Sequence, residues 1–149
     1  MNTKREALLL VHLSSLDSYT DEKGQAQGEW LGMELAQAIR TYPGPIFVTD
    51  QGWEYIGKHC QPRRFVEAAL REHSCSVKFY HDETLHEWDA AMQELGELLR
   101  SYGISHLVIG GTWASSDNSE GCVNETRNLL EQQGFSCSID ETICGMIED

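Results

Sequence analysis

The chain is short of positive charge. Against 24 Asp and Glu it sets only 11 Lys and Arg, a formal charge of −13 at pH 7. Phosphate backbones are held by clustered Lys and Arg, so this balance argues against nucleic acid as a partner. Long apolar runs are missing too. None approaches the twenty or so residues that span a bilayer, and the opening MNTKREALLLVHLSS has an apolar stretch too short and too poorly terminated for a signal peptide. A soluble cytoplasmic protein is expected, with no membrane partner. The five cysteines, Cys60, Cys75, Cys122, Cys137 and Cys144, are odd in number and form no C-x-x-C pair. That excludes the spacing of a zinc ribbon and gives no disulfide framework, so the thiols are expected to be reduced.

What is present is enough for one domain spanning residues 1–149, without linker, repeat or low-complexity segment. Apolar runs alternate with helical spacing. Glu6–Leu13, Ile46–Asp50, Ser76–Tyr80 and His106–Ile109 read as buried parallel strands, with a fifth run ending at Asp140. Between them, Glu29–Arg40 places Trp30, Leu31, Leu35, Ala38 and Ile39 at helical spacing after a polar loop, and Arg63–His73 does the same with Phe65, Val66, Ala69 and Leu70. Thr84 caps a third helix reaching about Arg100, which Tyr102-Gly103 ends. Strand-helix alternation implies right-handed crossovers and a three-layer α/β doubly wound parallel sheet of about five strands.

The organising stretch is Ile104–Asp140, a βαβ unit. Its first strand closes at Gly110-Gly111, a loop delivers Cys122 to a helix start, and Gly134 supplies the left-handed stop. A cysteine there meets the helix dipole and unpaired backbone amides, which favour thiolate and can hold an oxyanion. As a small apolar residue cysteine is also a common core filler, and Cys60, Cys75, Cys137 and Cys144 are read that way. The Gly-rich loop GGTWASSDNSEG lacks the lysine of a phosphate loop and carries Asp117 and Glu120, so a nucleotide site is disfavoured. His81, His86, Glu87 and Asp89 read as a solvated helix start rather than a metal cluster. Trp53 and Trp113, near strand ends, together with Thr112 and Gly121 at the mouth of the loop, are the candidate substrate-binding residues.

Gly110, Cys122-Val123, Thr126, Gly134-Phe135 and Asp140, followed by Glu141-Thr-x-x-Gly145, resemble the isochorismatase-like cysteine hydrolases, which include nicotinamidase and N-carbamoylsarcosine amidohydrolase. The resemblance implies a sheet of order 3-2-1-4-5 and a crevice between strands 1 and 4. It implies hydrolysis of a small amide, imide or related C–N bond with Cys122 as nucleophile. Lys78, in the Val77-Lys78 pair, corresponds to the family's lysine, which holds the charges of base and thiolate together. The family's base is an aspartate at the end of strand 1. Here His12 stands at that position, with Asp17 five residues on as the other candidate base. Imidazole titrates near neutrality and can accept a thiol proton. It is equally a residue of a site that has lost its chemistry, so a catalytically inactive member that binds a metabolite or a protein remains the alternative. In metal-binding members a His follows strand 2 closely, whereas Gly52 takes that place between Asp50 and His59, so no metal and no cofactor is expected. The chain reads as C-terminally short of the family's last helix and strand, and homo-oligomers are expected.

Overall fold

The computed structural model describes residues 5–13, 22–51, 61–73, 76–81, 85–114 and 121–146. Strands β1 (Arg5–Val11), β2 (Ile46–Gln51), β3 (Ser76–His81), β4 (Ile104–Ala114) and β5 (Ser136–Met146) alternate with helices α1 (Glu22–Thr41), α2 (Gln61–Glu72), α3 (Leu85–Ser101) and α4 (Cys122–Gln132). The strands form one sheet in the order β3-β2-β1-β4-β5, and every neighbouring pair is parallel. The parallel topology is the one expected from strand-helix alternation, and the strand order is the one that the family resemblance implies.

Alternation along β1 explains the two-sided core. Ala7, Leu9 and Val11 join Met92, Leu95 and Leu99 of α3 and Val123 and Leu130 of α4 on one face. Leu8 and Leu10 join Leu31, Leu35 and Ile39 of α1 and Val66, Ala69 and Leu70 of α2 on the other. A strand buried on both faces must be apolar throughout, which is why EALLLV shows no alternation. At about 25 cal/mol per Å² of apolar surface, each such leucine contributes roughly 2 kcal/mol. The C-terminus of α4 follows a local rule. Gly134, at φ 99°, ends the helix, and the Phe135 amide turns back to the Leu130 carbonyl at 3.1 Å.

Several boundaries differ from the sequence reading. Helix α1 begins at Glu22, not Glu29, taking in the polar stretch read as loop. Trp30 and Phe65 do not join the buried stripes of their helices: they are 51% and 45% exposed. Strand β4 continues through Gly110-Gly111 to Ala114, so Thr112 and Trp113 belong to the strand and not to a loop. Only glycine fits at 111. Its φ is 116°, and a Cβ would collide with the Val11 backbone on β1. Nor does β5 stop at Asp140. Ile139 pairs with Ile109 and Cys144 with Gly111, so residues 140–143 bulge out and the strand resumes. Asp140 Oδ1 accepts bonds from the Thr142 hydroxyl (2.6 Å) and amide (3.1 Å), and Ile143 returns to the α1/α2 core.

Candidate functional site

Strand order reverses between β1 and β4, and both strands end at the same edge of the sheet. His12 lies one residue beyond β1. Its backbone is left-handed, at φ 52°, rare for a residue with a side chain and often found where function requires it. Both backbone groups are tied to the neighbouring strands. Its amide donates to the Thr49 carbonyl of β2 at 2.9 Å, and its carbonyl accepts from the Thr112 hydroxyl of β4 at 2.8 Å. Thr112 is fully buried, so this candidate substrate contact acts in the structure as the clamp on His12. His12 itself is 4% exposed.

Across the reversal point, α4 starts at this same edge. Gly121, at φ 105°, is its N-cap and supplies no side-chain hydrogen bond; its carbonyl accepts from the Glu125 amide at 2.9 Å. Cys122 is the first helical residue, half-buried and packed against the α3/α4 core. The other described thiols are set differently. Burial, with the Glu131 charge beside it, pushes Cys137 up to about 12, and burial with the Asp140 charge does the same for Cys144. Those two are thiols at any ordinary pH. Cys144 also donates to the Asp140 carbonyl at 3.2 Å.

Of three buried polar groups near this end, Asn124 and Thr49 escape the sequence reading, which places Thr126 in the family motif. Asn124, on α4, is 1% exposed; the Thr49 and Thr126 hydroxyls are buried and have no hydrogen-bond partner among the described residues. Thr126 lies one turn beyond Val123 on the stripe of α4 facing the sheet. An asparagine in a first helical turn and a threonine at the end of an apolar strand are the signals that point to them. Lys78 falls in β3, where its backbone pairs with Val48, which in turn pairs with Leu10. That places it two strands from His12 in the sheet. Asp17 and Trp53 lie outside the described residues, as do Cys60, Cys75 and His59. Among the described residues no three His, Cys, Asp or Glu side chains gather as metal ligands, and no helix is long and apolar enough to cross a membrane.

A scan of protein-family profiles gives no match, and neither does a sequence search of characterised proteins. Solved structures do match. N-carbamoylsarcosine amidase from Thermoplasma acidophilum superposes with a TM-score of 0.61 at 14% identity, over 97% of this chain and 86% of that one. The chain has the isochorismatase-like fold. The Escherichia coli YcaC gene product, described as an octameric hydrolase of unknown specificity, matches at TM-score 0.59 and 18% identity, over 95% of this chain and 64% of that one. A candidate MAR1 ribonuclease from Leishmania donovani matches at TM-score 0.61 and 11% identity, over 96% of this chain and 66% of that one. The chain thus spans just under two thirds of these last two proteins. One fold serves an amidase and a ribonuclease description, so function must be argued from the site.

Proposed function

We propose that this protein hydrolyses a C–N bond of a small amide, imide or related substrate, with Cys122 as nucleophile, His12 or Asp17 as base and Lys78 as the electrostatic partner. The observation that carries this reading is Cys122 itself: half-buried, first in α4, and at the sheet edge where strand order reverses. In the proposed cycle the base takes the thiol proton and the thiolate attacks the carbonyl carbon. Amides of the first helical turn, which no cap side chain occupies, hold the oxyanion. The C–N bond then breaks, the amine leaves with the proton, and water cleaves the thioester. The N-carbamoylsarcosine amidase with this fold supports the substrate class.

The alternative, a catalytically inactive protein binding a metabolite or a protein in the same crevice, has one observation in its favour. His12 is buried, with its backbone clamped on both sides, and a base must reach its proton. A panel of small amides, ureas and nicotinamide, run with wild type and Cys122→Ala, separates the two. Turnover lost in the variant supports the hydrolase; ligand-induced stabilisation equal in both proteins, without turnover, supports the binder. The octameric relative supports a further part of the proposal, that the chain self-associates.

A further inference from the structure

One polar group at the C-terminal end of the sheet has no part in the proposed cycle. Thr49 stands in register with Val11, Val11 with Gly111, and Gly111 with Cys144, so the four form one row across β2, β1, β4 and β5. Val11, Cys144 and Phe47, two residues before Thr49, all belong to the core under α3 and α4, which puts the Thr49 side chain on that face. Cys122 packs against the same core. The Thr49 hydroxyl and the Cys122 thiol thus share one face and one edge of the sheet. Helix α4 lies over β4 and β5, and Thr49 is two strands from β4, about 10 Å across the sheet. Between them the row offers only Val11 and Gly111, and Gly111 has no side chain.

A buried hydroxyl costs stability unless something bonds it, and the fully buried Thr49 hydroxyl has no partner among the described residues. Thr126 shares that state but lies deeper, four residues or about 6 Å along α4 from Cys122. Thr49 is at the rim, beside His12, whose amide its own carbonyl holds at 2.9 Å. We infer that Thr49 is a specificity residue of the crevice, its hydroxyl bonding an uncharged polar group of the ligand at the end away from the bond that Cys122 attacks. The inference rests on the hydrolase reading and names the substrate class: a neutral amide with a second polar group a few bonds away. The neighbours select neutrality. No residue of the row carries a charged side chain, and a ligand carboxylate buried against it would be stripped of water with no cation of the row to pair with. A hydroxyl both donates and accepts, so an amide or an alcohol suits this place.

The test uses two amides that differ only at the far end, succinamide and succinamate. Turnover is measured with Cys122 in place, and binding by calorimetry in the Cys122→Ala protein, each with Thr49, Thr49→Val and Thr49→Ser. The protein with Thr49 should prefer succinamide by about tenfold or more. Thr49→Val should weaken succinamide about tenfold and succinamate little, and Thr49→Ser, which keeps the hydroxyl, should stay near wild type. Urea denaturation separates this contact from a structural role: Thr49→Val should be no less stable than wild type, because an unpartnered hydroxyl stabilises nothing. A less stable Thr49→Val means that the hydroxyl is bonded within the protein, and overturns the inference. So does a stable Thr49→Val that handles succinamide as wild type does, or a wild type without the preference. Succinamide bound but not turned over overturns the hydrolase reading and leaves the Thr49 contact standing. Neither compound bound or turned over, while other amides are hydrolysed, overturns the substrate class and keeps the hydrolase reading; no amide bound or hydrolysed overturns both.

Discussion

The two ends of the sheet are built from similar residues and reach different states. At the N-terminal end most polar groups answer one another, the buried Gln133 Oε1 being the exception among the described residues. Glu6, His106 and Ser136 stand in one row across β1, β4 and β5, with His106 at 3.1 Å from the Ser136 hydroxyl and 3.7 Å from Glu6. Glu6 also accepts the Tyr42 hydroxyl at 3.0 Å, and Tyr42 offers its carbonyl to the His73 ring at 3.1 Å. Burial, then the bond and charge of Glu6, push the Tyr42 phenol up. At the C-terminal end lie a left-handed histidine, a buried threonine hydroxyl without a partner among the described residues and a helix start with no cap side chain. Buried polar groups are normally paired, so the first end reads as finished structure and the second as a place kept for chemistry.

Substitutions at the two ends should therefore behave differently. The largest effect is expected from Gly111→Ala, because a Cβ meets the Val11 backbone and the φ of 116° is closed to alanine. A loss of more than about 3 kcal/mol, or failure to fold, is expected in urea denaturation. Thr112→Val removes the hydroxyl that clamps His12 at 2.8 Å. It should cost about 1–2 kcal/mol by removing a buried hydrogen bond, and lower turnover by more than it lowers stability. Its counterpart at the other end, Tyr42→Phe, cuts the bond to half-exposed surroundings and should cost only about 0.5 kcal/mol with turnover unchanged. Equal losses of activity at the two ends would erase the distinction. Smallest is the alkaline effect of Cys144. Its folded value of about 12 lies above the ordinary 9.0, so the fold holds the proton more tightly. Stability from this group is complete below pH 9 and is lost as pH rises towards 12. Cys144→Ala should flatten the urea midpoint between pH 9 and 10.5 relative to wild type.

The sequence was most legible where burial is two-sided. EALLLV and IFV can only be central strands of a covered sheet, and four strands separated by helical spacing leave few topologies. The Cys122 helix start was legible because Gly134 and the apolar stripe mark the helix itself. Legibility failed where tertiary pairing overrides local signals. GGTWA reads as a loop because glycine breaks isolated strands, yet Gly111 is needed for the close approach of Val11. Asp140-Glu141-Thr142 reads as the end of a strand, and the bulge that absorbs it is visible only against β4. Trp30 and Phe65 sit at helical spacing beside true core residues, and a single apolar stripe cannot say which of its edges faces solvent.

The most direct test of a chemically active C-terminal end is the pH dependence of iodoacetamide labelling, followed site by site by mass spectrometry. Cys122 should label first and well below pH 9, while Cys137 and Cys144, pushed up to about 12, stay unlabelled in the folded protein. Thr112→Val, which loosens His12, should leave labelling of Cys122 nearly unchanged while slowing turnover. Labelling of Cys122 no faster than of Cys137 and Cys144 across pH 6–9 would contradict the account.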